Sequence, residues 1–460
     1  MQITKVFFSS LLFILSLNVF SQGPSLPEGL GKSDSKDDSP SFEFVSPTET
    51  EEKSSDVDSS VYFDWSGFVD MRSGVRTQDA PAQRDISLGE LRSQFAGTVS
   101  NDFLTGNFAV DFLYDPAARN YQDTNIEKGN GLIDLREAYL SATPLKFLDV
   151  KFGRQILTWG TGDFVFINDL FPKDWRSFFL GRDVTYLKAP SDAIKLSFFN
   201  EFFNTDLVYT PRFDSDRFVN GSRLTYFSPL NGAHSGHGTP FPLKERNDWF
   251  DEGEYSLRLS KTIKSMELAL YAYQGYWKSP NSFTPNNQFF FPRLQVFGSS
   301  LRAPFLGGIS NLEFGYYNSQ DDSKGSNPLI MNSQNRFLIG HERELVRNIT
   351  LSFQYFLEET LDYDEYKKNL NSKTKRQQYR QMLTGKIHAS LMRQNLDLTG
   401  MFFYGVSEDD LHVRLNGAYK LTDQLEMGGG VHLFEGRKDS SFWGRFDQNS
   451  SLFSFVRFNF

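Results

Sequence analysis

The stretch Asp410-Leu411-His412-Val413-Arg414-Leu415-Asn416-Gly417-Ala418-Tyr419-Lys420 decides the fold. Leu411, Val413, Leu415 and Tyr419 fall on one side of an extended chain, and His412, Arg414, Asn416 and Lys420 fall on the other. Successive side chains of a strand point to opposite faces, so this period of two is a strand with one apolar and one polar face. The alternation returns in 348–358, where Ile349, Leu351, Phe353, Tyr355 and Leu357 oppose Thr350, Ser352, Gln354 and Glu358. It returns again in 424–435, where Leu425, Met427, Val431 and Leu433 oppose Glu426 and His432.

Extended along the chain, the pattern predicts about eighteen strands, near 61–76, 86–99, 103–114, 131–142, 145–156, 191–200, 202–210, 253–261, 265–277, 293–302, 308–318, 334–343, 348–359, 378–391, 394–404, 410–420, 424–435 and 450–460. Their connections alternate between tight turns (Asn101-Asp102, Thr143-Pro144, Arg393, Thr422-Asp423) and longer polar loops over 115–130, 157–190, 211–252, 278–292, 319–333, 360–377 and 436–449. A soluble sandwich also alternates, but nothing makes it sort its loops by length. Short turns on one rim and long loops on the other predict an all-β chain. The expected fold is a transmembrane antiparallel up-and-down β-barrel with short periplasmic turns and long outer loops.

Composition agrees. The 460 residues are 39% hydrophobic and 16% aromatic, with 47 Phe, 19 Tyr and 6 Trp interleaved with polar residues. Beyond the first twenty positions no run approaches the ~20 apolar residues of a spanning helix, which excludes a helical membrane protein. The aromatic content excludes a wholly disordered chain. Net charge is -9 and the 48 basic residues are spread evenly, so no nucleic-acid surface is expected. Cysteine is absent, which excludes a disulfide, a Cys-ligated zinc, an iron–sulfur cluster or a thioether haem in this chain, and no cofactor is expected.

Lys5 followed by the apolar run Val6–Phe20, with Val19 and Ser21 before Gln22, predicts a cleaved signal peptide over 1–21 and export of the chain. Residues 22–60 are rich in Ser, Pro and acid (Asp34, Asp37, Asp38, Glu49, Glu51, Glu52) and read as a disordered acidic periplasmic arm. Within it, 25–30 is the one spot suited to docking on a periplasmic partner, and a plain linker is the preferred reading. The barrel is expected over 61–460.

In 451–460, Leu452, Val456, Phe458 and Phe460 share one face, and the chain ends on Phe. This resembles outer-membrane β-barrel proteins of Gram-negative-type bacteria. The resemblance implies outer-membrane lipid and lipopolysaccharide as surroundings, and Phe458 and Phe460 as the signal read by the barrel assembly machinery.

Eighteen tilted strands enclose a lumen too wide for their own side chains to fill, so inward residues define what passes. Parity places Arg72, Arg92, Asp111, Arg258, Arg336, Arg380, Arg414 and Arg457 on the lumen wall, with Glu90, Glu313, Glu358 and Glu426 among the acidic partners. These charges either pair across neighbouring strands as a solvated ladder or form a selective path. The loop 157–190 carries Trp159, Phe164, Phe166, Phe171, Trp175, Phe178 and Phe179, which need cover. Folding it into the barrel supplies cover and is expected to set Arg154, Trp159, Asp163, Asp169, Arg176, Arg182 and Asp183 at a pore constriction that binds solute.

The motifs Gly153-Arg154-Gln155, Trp159-Gly160 and Asp169-Leu170-Phe171-Pro172, with Trp65-Ser66-Gly67-Phe68, Arg72, Gly74 and Arg76, resemble the uncharacterised porin-like families neighbouring the alginate-export channels. That resemblance implies an outer-membrane channel. Catalysis is not expected. His234 and His237 lie three apart in a Gly-rich loop with no carboxylate beside them, and no Ser-containing motif marks a triad. The acidic loops at Asp321-Asp322 and 358–365 read as solvated, and no metal is expected. The channel has two rivals: a sheath for a partner such as a multihaem cytochrome, and a barrel hydrolase acting on lipid.

Overall fold

The computed structural model describes residues 61–81, 83–118, 121–228, 232–236, 242–370 and 376–460. The expected signal peptide, the acidic arm and His237 lie outside the described residues.

One antiparallel sheet holds eighteen strands. They are β1 (Tyr62–Arg76), β2 (Ile86–Ser100), β3 (Thr105–Tyr114), β4 (Ile133–Leu145), β5 (Leu148–Ile156), β6 (Pro190–Phe198), β7 (Asn204–Thr210), β8 (Glu254–Ile263) and β9 (Met266–Tyr276). They continue as β10 (Arg293–Phe305), β11 (Gly308–Ser319), β12 (Gln334–Val346), β13 (Ile349–Thr360), β14 (Tyr379–Leu391), β15 (Leu396–Gly405), β16 (Asp410–Lys420), β17 (Leu425–Gly436) and β18 (Ser451–Asn459). Each pairs with its successor, and β18 pairs back onto β1 from Phe68↔Asn459 to Arg76↔Ser451. The sheet is therefore closed, which satisfies backbone groups that would otherwise form an edge. Among the described residues no helix is long and apolar enough to cross a membrane, which says nothing about crossing by strands.

The faces follow the period of two. On β16 to β18, Leu415, Leu433, Leu452, Val456 and Phe458 are exposed outward, while His412, Arg414 and His432 are buried inward. Apolar residues outside and charged residues inside invert the arrangement of a water-soluble domain.

Turn chemistry sets the short rim. Asn101 Oδ1 accepts from the N–H groups of Phe103 and Leu104, and Asn200 Oδ1 does the same for Phe202 and Phe203. An Asn side chain closing its own turn is a common way to join two strands tightly. The Asn200 turn occupies Phe199–Phe203, so β6 and β7 are shorter than the pattern predicts. The turn expected at Thr143-Pro144 falls instead at Lys146-Phe147. A register shift between Ala142 and Leu145 carries β4 through Pro144, which a bulge tolerates.

Phe460 completes the seam one residue beyond β18. Its N–H and C=O bond Gly67 at 2.9 Å each, and its ring lies 5.8 Å from Trp65 and 5.7 Å from Phe95. A Cβ at position 67 would come within 2.8 Å of that ring, so glycine is required there. Phe460→Asp removes two ring contacts of about 0.5–1.5 kcal/mol each and sets a charge on the outward face. The urea midpoint of the detergent-folded barrel should fall. An unchanged midpoint would mean that the ring does not hold the seam.

Candidate functional site

Between β5 and β6 the chain makes a compact, self-braced segment. Asp169 accepts from Thr158 Oγ1 (2.7 Å) and pairs with Lys173 (2.9 Å), whose ammonium also donates to Phe171 O, so Asp169-Leu170-Phe171-Pro172-Lys173 folds on itself. The short helix α1 (Trp175–Leu180) is capped by Asp174, whose carboxylate accepts from Ser177 N, and ends at Gly181 with φ +85. Side-chain space at Gly181 is already taken by the Phe453 ring.

The segment meets the inward face on every side. Arg72 on β1 donates to Gly181 O (2.6 Å), Arg182 pairs with Glu90 on β2, and Tyr186 donates to Asp111 on β3 (2.7 Å). Arg136 on β4 donates to Lys188 O, helped by a bulge opposite Ala109/Val110 that makes Arg136 an extra residue and turns it inward. Trp159 packs on Phe171 (4.9 Å) and on Tyr271 of β9 (6.2 Å). Asp163 reaches Ser352 on β13 and Lys386 on β14 (3.0 Å). Phe164, Phe178 and Phe179 pack against Phe403, His412 and Phe434 of β15 to β17, and Asp183 pairs with Arg457 on β18 (3.1 Å).

At its tip the segment wraps one carboxylate. Glu313 on β11 accepts from Thr161 N, Thr161 Oγ1 (2.8 Å), Gly162 N (2.9 Å), Asn168 N (3.2 Å) and Asn168 Nδ2 (2.8 Å). No ion pair involves Glu313 among the described residues, so these donors carry its charge, as a backbone nest does for an anion. The Trp159-Gly160 motif now has a reason. Gly160 has φ +81, and a Cβ there would press to 3.2 Å from Glu313. Beside the tip, Gly298 and Gly315 face each other across β10 and β11 and make a notch for Asn168 and Ile167, where Asn168 Nδ2 donates to Ser299 O and Tyr317 to Ile167 O.

Of the residues expected at a constriction, Trp159, Asp163, Asp169, Arg176, Arg182 and Asp183 belong to this segment. Asp169 is spent on internal bracing, and Arg176 on Asn130 and Lys128 O of the 115–130 loop. Burial pushes the Arg176 guanidinium down to about 10; Asp174 opposes this and Arg217 adds to it. Arg154 is a correction. Its register partners are Ala138 and Asp192, on the same face as Phe152 and Leu140, which are 59% and 46% exposed. It therefore points outward at the long-loop rim, bonded to Asp192 (3.0 Å) and to Ile126 O under the 115–130 loop.

All eight wall residues lie on the inward face. Arg72 and Arg457 share Asp70, Arg92 holds Glu90 and Asp111, and Arg414 donates to Phe178 O and Arg182 O. Arg258 pairs with Glu267 and Asp206, while Arg336 and Arg380 share Glu358. Sequence reasoning missed Arg217, which reaches in from the 211–252 loop to Asp134 (2.8 Å) and Asp174 (3.3 Å). Burial would lower its guanidinium, and Asp134 with Asp174 outweighs that and holds it above the ordinary value. No local pattern marks so distant a contact. Glu313 was read as a wall acid, and its clasp of the tip was not foreseen.

A family model described as "Protein of unknown function (DUF1302)" matches residues 65–429. In fold the chain is similar to OccAB4 of Acinetobacter baumannii, at 11% identity, with 86% of this chain and 98% of that chain covered and a TM-score of 0.53. It is similar to OccAB3 of the same organism at 10% identity, 86% and 98% coverage and a TM-score of 0.52. For OccK5 of Pseudomonas aeruginosa the figures are 9%, 86%, 97% and 0.51. At such identities the likeness concerns the fold alone. A comparison with curated proteins finds no match.

The clasp generates a test. Hydrogen bonds to a charged group contribute about 1.5–3 kcal/mol each, so Glu313→Gln, which keeps the shape and loses the charge, should free the tip. Amide exchange at Thr161, Gly162 and Asn168 should quicken by roughly tenfold or more, since about 1.4 kcal/mol is a factor of ten. Strand amides elsewhere should not change. Equal protection in the variant would show that the notch alone holds the tip.

Proposed function

For a chain that belongs to the family described as Protein of unknown function (DUF1302), we propose an outer-membrane, porin-like channel. It passes small polar or charged solutes, selected electrostatically by the lumen wall and by the segment 157–190. One observation carries the reading: a closed sheet, apolar outside and charged inside, holds one segment that meets the inward face on every side. Low-dielectric walls focus the fields of charges at such a narrowing on a passing ion.

The surroundings belong to the same reading. The outward band meets outer-membrane lipid, and the long-loop rim meets lipopolysaccharide. Residues 1–21 are a cleaved signal peptide, 22–60 an acidic arm toward a periplasmic partner, and Phe458 and Phe460 the end that the barrel assembly machinery reads. Kinship with the alginate-export channels rests on Gly153-Arg154-Gln155, Trp159-Gly160 and Asp169–Pro172. The sheath reading has less support, because the segment takes the room that a threaded partner needs. The hydrolase reading has less support, because among the described residues neither buried histidine is hydrogen-bonded to a hydroxyl or a carboxylate, although Ser451 stands opposite His432 in the register.

Planar-bilayer recording tests the proposal. Removing 162–182 should raise single-channel conductance more than an equal deletion in 211–252, because the narrowest part of a path controls its resistance. Replacing Arg182 and Arg457 with Ser removes two cations, leaves Asp183 without its ion pair and Glu90 with Arg92 alone, and should shift selectivity toward cations. That shift should shrink at high salt, as the Debye length falls from about 10 Å at 0.1 M to about 3 Å at 1 M. Absence of conductance in the wild type and in the deletion variant would end the channel reading.

A further inference from the structure

Where α1 rests on the wall, the seat is of mixed character. Phe178 and Phe179 lie over His412, with centroids 5.8 and 5.6 Å away. Phe403 and Phe434 stack on the same ring, Trp443 lies 5.0 Å from it, and Phe453 stands 5.5 Å from His432. Inside this aromatic cover, His412 Nε2 and His432 Nδ1 are 3.2 Å apart, and both side chains are fully buried. His412 Nδ1, His432 Nε2, Arg414 Nε and Trp443 Nε1 have no hydrogen-bond partner among the described residues. Orphaned buried polar atoms are rare, and four in one patch need an explanation.

The charges around the pair are one-sided. Arg414 stands directly opposite His432 in the β16–β17 register and is the charged group that acts on both rings. The faces turned toward the rings by α1, β15 and Trp443 are aromatic, and β18 presents Phe453 together with Ser451, which stands opposite His432 in the register. Asp183 is paired with Arg457, and Asp410, two residues before His412 on the same face, accepts from the Trp443 N–H through Oδ2 while its Oδ1 has no hydrogen-bond partner among the described residues. A neutral pair shares one proton between two facing nitrogens. Once both rings are protonated, N–H faces N–H across the same gap, and two imidazolium charges stand beside a guanidinium in a buried seat with no carboxylate paired to either ring. Water reaches them once Phe178 and Phe179 leave. Arg414 is coupled to the same event, because its acceptors Phe178 O and Arg182 O belong to the segment.

We propose that the His412–His432 pair is a proton-operated release, which unseats α1 as the medium acidifies and opens the channel. The opening rests on the channel reading, whereas the unseating does not. His pairs are suited to this because the ordinary imidazole value, about 6.5, lies within the range of natural surroundings.

Two readouts on the full chain separate the claims. Between about pH 7.5 and about pH 5, which bracket the ordinary imidazole value, α1 amides should exchange faster in the wild type after correction for the intrinsic pH effect. The open fraction in planar bilayers should rise by up to about tenfold per pH unit for each proton taken up. His412→Gln combined with His432→Gln should abolish both responses. If that variant does not assemble, His432→Gln alone should reduce their steepness. Removing 162–182 should give a conductance insensitive to this pH change. Unchanged α1 exchange in the wild type, or an undiminished response in the Gln variants, overturns the release. Faster α1 exchange with no conductance in any variant supports the release and removes the channel reading.

Discussion

A sheet that closes on itself with eighteen strands encloses more cross-section than its own side chains can fill. The remaining features answer that one constraint. The segment between β5 and β6 turns inward contacts on all sides, and the wall is shaped to receive it. Gly298 and Gly315 clear a notch for Asn168 and Ile167, and Gly181 leaves space for Phe453. Aromatic residues are frequent on this segment for the same reason: a few large rings bridge a wide gap at low conformational cost.

The charges obey a second rule. An inward face built to meet water becomes costly when a protein segment covers it, unless each charge gains a partner. Arg72, Arg92, Arg457 and Glu90 gain theirs from the segment or from one another. Such buried pairs add little net stability, because desolvation offsets most of their attraction. Their effect is on register. Arg182 fits Glu90 only when Gly181 O lies under Arg72 and Arg182 O lies under Arg414, so one seating of the helix satisfies all three.

The barrel was legible because alternation is a local property: reading Leu411, Val413 and Leu415 against His412 and Arg414 needs no distant information. Boundaries failed where local geometry departs from the regular strand, as at the bulge that carries β4 through Pro144. Arg154 was misplaced although its parity could be read, since Phe152 two residues earlier marks the outward face. Gln155 beside it faces inward on β5 and Trp159 belongs to the inner segment, and these neighbours drew it with them. Arg217 and the clasp by Glu313 were beyond reach, because each depends on a contact between stretches far apart in sequence. The wall arginines show the limit of periodicity: it gives the direction of a side chain and leaves its partner open.

The two ends of the segment are held by different physics, and that difference sets the order of events in the proposed channel. At the tip, Glu313 accepts from five donors, so withdrawal exchanges charge-assisted bonds for bonds to water and relieves only the unpaired Asn168 Oδ1. At α1, withdrawal exposes Phe178 and Phe179, at about 25 cal/mol per Å² of apolar surface. It also hydrates the orphaned nitrogens of His412, His432, Arg414 and Trp443, each of which carries a cost of about 1–3 kcal/mol while unsatisfied. At the helix four orphaned nitrogens oppose the apolar burial, whereas at the tip a single orphan, Asn168 Oδ1, stands against the five hydrogen bonds to Glu313 and the burial of Val165 and Ile167. The helix end is therefore the part of the segment poised to leave first, with the tip held by Glu313 as the fixed point about which it turns.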